Sequence, residues 1–150
     1  MYVRKCEKKD IQAILELGKK GCHERGWVDV DWNDLHFHTT VKNIIVNQNI
    51  IVLGLFEGDL MAGFICAEIS LNPWNSKPVC VIDLMHLHTT HREYYQDLLN
   101  AVYKECRRLD IKTVRTRSSS YLLDHTVRET LLVRNGFAIS DMCWEKQYED

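Results

Sequence analysis

The sequence predicts one α/β domain spanning residues 1–150, in which a central antiparallel β-hairpin meets a βαβ crossover. Three observations predict it. Asn49–Phe56 and Leu60–Ile69 are apolar runs joined by the turn Glu57-Gly58-Asp59, the pattern of a hairpin. Val79–His88 is a third apolar run, followed by a helical repeat and then by the extended stretch Ile111–Arg117, which together make the crossover. No linker, internal repeat or low-complexity tract divides the 150 residues. A chain of this length buries enough surface to fold without a disulfide or metal staple.

The elements follow in order. Tyr2–Cys6 is short and extended. Ile11, Ile14 and Leu15 share a helical face, Asp10 suits the first turn of that helix, and Gly18 and Gly21 are expected to end it. Cys22–Asn33, with Trp27 and Trp32 among acids, is expected to be a long loop. Leu35, Val41, Ile44 and Ile45 predict a helix over Asp34–Val46. After the hairpin, Asn72–Pro78 holds both prolines and is expected to be a loop. Leu98, Leu99, Val102, Cys106 and Leu109 predict a helix over Tyr94–Leu109. Asp124–Arg134 is a further helix, stopped by Asn135-Gly136. Phe137–Ile139 and Met142–Tyr148 close the chain as short strands. The result is a mixed central sheet flanked by about four helices.

Composition narrows the function. The chain is 45% hydrophobic and carries a formal net charge of −2, which argues against an electrostatically driven nucleic-acid binder. The local cluster Lys104, Arg107, Arg108, Lys112, Arg115 and Arg117 reads as a solvated helix face and an exposed strand. Six cysteines lack a CxxC pair or a repeated spacing, and several sit in apolar runs, as small core residues of a reducing compartment do. The basic N-terminus is not followed by an apolar signal region, and no run reaches the ~18 apolar residues of a membrane span. The expectation is a cytoplasmic protein with no membrane partner.

Several stretches carry a family pattern in order along nearly the whole chain. Val3-Arg4-Lys5 with Lys9-Asp10-Ile11 and Ala13–Leu17 is similar to the opening strand and first helix of the GNAT superfamily of N-acetyltransferases. Phe56–Phe64 resembles that family's hairpin, Ile82–His88 its cofactor strand, and Asn135-Gly136-Phe137 the Gly-Phe after its last helix. The resemblance implies a GNAT-like fold and acetyl-CoA as co-substrate. It also implies an amine acceptor, a small molecule or a protein, with a homodimer as an open alternative. In the family the cofactor strand offers backbone groups to the pantetheine arm. A glycine-containing loop then opens a helix whose N-terminal amides hold the pyrophosphate. The matching positions are Met85 and Leu87 on the strand, and His91, Arg92, Tyr94 and Tyr95 at the loop and helix start.

The loop departs from the pattern. Between Leu87 and Leu98 there is no glycine, and Glu93 and Tyr95 stand where the family has small residues. Carboxylates at Glu93 and Asp97 favour the helix start but repel a phosphate. The tyrosine that many members carry four residues before the Gly-Phe glycine is Leu132 here. Tyr121 and His125 are substitutes by type as the acid that returns a proton to the thiolate; their plainer readings are a loop aromatic and a helix-start polar residue.

The implied reaction is attack of an amine on the thioester, which needs a base for the ammonium proton and N–H groups for the oxyanion. Asp83, His86 and Glu68 are the candidate bases. Alternation along a strand puts Asp83 and His86 on opposite faces, so at most one is expected in the cleft; the plainer readings are a strand-end hydrogen bond and a core histidine. Trp27 and Trp32, with Glu24, Asp29, Asp31 and Asp34, would suit a cationic acceptor, and Trp74 could line the same entrance. Alternatively the tryptophans cap the core and the acids are solvated. The run His86-x-His88-x-x-His91, with His36-x-His38 elsewhere, raises a metal reading that lacks a carboxylate or cysteine at convincing spacing. A further alternative keeps the fold and not the enzyme: a catalytically inactive domain used for binding or assembly.

Overall fold

The computed structural model describes residues 1–24, 33–116 and 125–138. Among the described residues five strands form one sheet in the order of the chain: β1 (Tyr2–Lys5), β2 (Ile50–Glu57), β3 (Leu60–Leu71), β4 (Pro78–Leu87) and β5 (Thr113–Thr116). The first four are antiparallel neighbours, and β4 and β5 run parallel. That single parallel pair requires a crossover, which α3 (Tyr95–Arg108) supplies. The mixed α/β sheet expected from the sequence is thus present.

Helix and strand periodicity sort the apolar residues onto the two sheet faces. On one face Leu53, Ile65, Ile82 and Met85 meet Leu98, Leu99 and Val102 of α3, with Leu131 and Leu132 of α4 (His125–Arg134) packed at the edge. Each fully buried leucine there contributes about 2 kcal/mol. On the other face Val52 and Phe64 meet Ile11, Ile14 and Leu15 of α1 (Ile11–Glu24) and Val41 of α2 (Asp34–Val46). Cys80 and Cys106 belong to the first core and Cys6 to the second, all as free thiols, and burial pushes the Cys6 thiol up to about 12.

Four expectations are corrected. Gly18 and Gly21 do not end α1, which continues to Glu24. Both glycines are buried on the sheet side, and a Cβ at Gly21 would lie 3.1 Å from Nδ1 of His86, so small size there lets α1 approach β4. Asp10 closes a 3-10 turn, Lys8–Asp10, ahead of α1 rather than standing in its first turn. The helix expected from Tyr94 is preceded by a 3-10 segment, Thr89–Tyr94, that helical periodicity does not signal. Phe137 and Ala138 are not in a strand. The segments holding Trp27, Asp29, Asp31, Trp32 and Tyr121, and the expected strand Met142–Tyr148, lie outside the described residues.

Turn chemistry behaves as composition suggests. Gly58 (φ 58) closes the β2–β3 hairpin and Gly136 (φ 77) stops α4, both in the left-handed region that glycine enters without penalty. At the opposite edge Arg4 binds both oxygens of Asp10 at 2.7 and 3.0 Å while its guanidinium lies 3.8 Å over the Phe56 ring. This contact ties β1 to the entry of α1.

Two outcomes test this packing. A Cβ at Gly63 would sit 2.5 Å from Leu87 Cδ2 and 2.7 Å from the His86 carbonyl oxygen. Gly63→Ala is therefore expected to destabilise by about 1–3 kcal/mol in urea titration, since one of the two neighbours is backbone. The Arg4 hydrogen bonds hold the Asp10 carboxyl below its ordinary range. A depressed folded-state value means stability that is present above the unfolded value and lost as pH falls through the folded one. Asp10→Asn should be less stable than wild type at neutral pH, and the difference should shrink on acidification.

Candidate functional site

Among the described residues the sheet has two register shifts, one at Leu55/Phe56 between β2 and β3 and one in the middle of β4. Cys66 of β3 faces Leu84 and Ala67 faces Ile82, which leaves Asp83 as an extra residue, a β-bulge. Beyond it the strand changes phase. Cys80 and Ile82 face the α3 core, and so do Met85 and Leu87, while Leu84 packs on the α1 and α2 side and His86 meets α1 and Phe64. The alternation that would set Asp83 and His86 on opposite faces does not run through this bulge, so that expectation is corrected.

The two candidate bases sit in different surroundings. His86 is 2% exposed, its ring edge-on to Phe64 at 6.3 Å and close against Gly21, the environment of a core histidine. Asp83 is exposed. Cys66 reports its position: burial pushes that thiol up to about 12, and the negative charges of Asp83 and Glu68 push the same way. Asp83, at the bulge, and Glu68, two residues along β3, thus both act on the Cys66 thiol.

The ladder between β4 and β5 runs from Val79↔Thr113 to Ile82↔Thr116, its last rung among the described residues. β4 continues five residues farther, and its ladder there, among the described residues, is with β3. Along this end the side chains of Met85 and Leu87 are buried in the α3 core, as is Tyr95. Trp74 is 90% exposed in the β3–β4 turn, at the other end of β4 and roughly 30 Å along the strand.

The connection from β4 to α3 holds the remaining candidates. His91 and Tyr94 are half-buried and Arg92 is exposed. Glu93 is exposed beside them and Asp97 stands in the first turn of α3. The N–H of His91 donates to the His88 carbonyl at 2.8 Å and that of Tyr95 to the carbonyl of Arg92. Lys20 Nζ approaches His88 Nε2 at 2.8 Å, Thr90 Oγ1 lies 2.8 Å from His88 Nδ1 and 2.9 Å from His91 Nδ1, and Glu57 is 3.8 Å from His91 Nε2. Lys20, Thr90 and Glu57 carry no signal in the sequence, because they reach the site from other elements or from a position that reads as loop.

At the far side of α3, Asn135 and Gln96 exchange two amide hydrogen bonds at 2.8 and 2.9 Å, and Tyr103 donates to Asn135 at 3.2 Å. Asn135, legible in the sequence only as a helix stop, therefore also fastens α4 to the first turn of α3. Leu132, at the place of the family tyrosine, packs on the core. His125 opens α4. The histidines of the metal reading do not converge: His86 packs against α1 and Phe64, while His88 joins Lys20 and Thr90. Among the described residues no group of three or more metal-ligating side chains is assembled.

No protein-family model and no curated protein matches the sequence. Solved structures do. A GNAT family acetyltransferase from Staphylococcus aureus superposes with a TM-score of 0.71 at 15% identity, covering 99% of this chain and 100% of its own. A predicted acetyltransferase from Clostridium acetobutylicum, solved with acetyl-CoA, gives 0.76 at 15% identity over 97% and 94%. The aminoglycoside 6'-N-acetyltransferase AAC(6')-IG from Acinetobacter haemolyticus gives 0.74 at 12% over the whole of both chains. The chain thus has the fold of these GNAT acetyltransferases.

The arrangement around Cys66 yields a direct check. The native thiol should react slowly with iodoacetamide at neutral pH, because thiolate is scarce. Asp83→Asn removes one of the charges that raise it and should speed the labelling, read by mass spectrometry of the Cys66 peptide.

Proposed function

We propose that the protein is an acetyl-CoA-dependent N-acetyltransferase of the cytoplasm, acting on an amine acceptor by direct attack. The observation that carries this reading is the β-bulge at Asp83, immediately after the parallel rung Ile82↔Thr116. A bulge interrupts the ladder and leaves backbone groups with which a pantetheine arm can pair. The likeness to a fold solved with acetyl-CoA supports acetyl-CoA as the co-substrate.

In this reading the acceptor nitrogen attacks the thioester carbonyl while Asp83, exposed at the bulge, takes the ammonium proton directly or through water. Asp83 is preferred to His86 because the latter is packed in the core. Backbone N–H groups of the bulged strand stabilise the oxyanion, and the C–S bond breaks to release the CoA thiolate, for which Tyr121 is the proposed proton donor. Arg92 and His91 meet the pyrophosphate. The carboxylates Asp83 and Glu68 favour a cationic acceptor, with the segment holding Trp27, Asp29, Asp31 and Trp32 shaping its approach; Trp74, at the other end of β4, takes no part.

A second reading, a domain of this fold that binds a partner without catalysis, is favoured by the 3-10 connection. Amides of His91 and Tyr95 are bonded to the segment's own carbonyls, where an anion-holding loop would aim them outward.

Calorimetry with acetyl-CoA separates the two. Binding is expected, weakened about fivefold to tenfold by Arg92→Ala and tightened by Glu93→Gly, the size of one exposed charge-assisted contact. No heat at about 1 mM ligand would sink the acetyltransferase reading and leave the binding module. If turnover is then seen with an amine, Asp83→Asn should lower kcat by roughly 100-fold or more with little change in the KM for acetyl-CoA.

A further inference from the structure

The contacts around the β4–α3 connection form one chain of polar atoms: Lys20 Nζ to His88 Nε2 at 2.8 Å, His88 Nδ1 to Thr90 Oγ1 at 2.8 Å, Thr90 Oγ1 to His91 Nδ1 at 2.9 Å, and His91 Nε2 to Glu57 at 3.8 Å. An ammonium group has no lone pair, so Lys20 can only donate, and that fixes the sense of every later link. His88 Nε2 must accept, which leaves the ring proton on Nδ1 to be donated to Thr90. The Thr90 hydroxyl then donates to His91 Nδ1, and the His91 proton resides on Nε2, toward Glu57. The Thr90 N–H also approaches His88 Nδ1, at 3.4 Å. A protonated ring nitrogen cannot accept it, so the 2.8 Å link is the bond.

We infer that His88 is a positioning residue that holds this connection closed only while both rings are neutral, and that the two histidines carry opposite tautomers, Nδ1–H on His88 and Nε2–H on His91. A proton added to His88 Nε2 would face the Lys20 ammonium in place of a lone pair. A proton added to His91 Nδ1 would turn an acceptor into a donor opposite the Thr90 hydroxyl. The groups facing His88 are Lys20 of α1 and Thr90 and His91 of its own segment, and the two rings lie 5.9 Å apart. Those facing His91 are Glu57 at the hairpin turn and the Tyr94 ring at 6.3 Å, with Arg92 and Glu93 next in sequence and exposed. Only Glu57 favours a charged ring, and its contact is the longest in the chain. The link joins α1, the hairpin turn and the β4–α3 connection, so protonation loosens the side-chain tie from α1 to this connection where the proposed pyrophosphate contacts lie.

Nitrogen NMR of the imidazole rings in the ligand-free protein tests the inference. The expected result is Nδ1–H on His88 and Nε2–H on His91 at about pH 8, with the amide signals of Thr90, His91 and Tyr95 moving along one titration down to about pH 5. Thr90→Val, which cuts the chain between the rings, should abolish the His91 preference and keep that of His88; Lys20→Met should release His88. Finding Nε2–H on wild-type His88, or amide signals indifferent to pH, overturns the proposal. Because these readouts need no ligand, a protein with this proton order that ignores acetyl-CoA counts against the proposed function and not against this inference.

Discussion

The constraint on which the rest depends is that β4 is buried from both faces at once. Cys80, Ile82, Met85 and Leu87 are fully enclosed beneath α3, while Leu84 and His86 pack on the other face. A strand covered on both sides cannot slip by one residue without moving every apolar group to the wrong layer. The Asp83 bulge is therefore fixed in place by its neighbours on either side. It is the one point where the strand presents an exposed carboxylate between two well-packed halves. Rigid packing and chemical accessibility meet at that residue.

Much of the fold was legible because it rests on periodicity. The hairpin, α2 and the apolar face of α3 follow from alternation or from helical spacing, and the Asn135-Gly136 stop follows from the left-handed preference of glycine. The expected end of α1 at Gly18 and Gly21 failed for a different reason. Gly21 answers to the closeness of His86, a tertiary fact, and helix packing overrides the local cost of both glycines. The 3-10 segment escaped notice because its polar residues have neither period.

The site was less legible than the fold. Asp83 and His86 stand out by type and position, but strict alternation does not run through the Asp83 bulge, and a bulge leaves no mark in a single sequence. His88 and His91 were visible as histidines. What they do depends on Lys20, 68 residues before His88, and on Glu57 from a different strand. Links of that span are set by topology alone. The missing glycine was visible and meaningful, for the structure spends the backbone amides that glycine would have freed on the turn itself.

That last exchange alters the kind of recognition open to the β4–α3 connection. Backbone dipoles in a glycine nest are permanent and indifferent to acidity. Here a phosphate would be met by the exposed Arg92 guanidinium and by the His91 imidazole, which also serves as an internal tie to Thr90 and Glu57. For that imidazole, holding the ligand and holding the loop draw on the same protons.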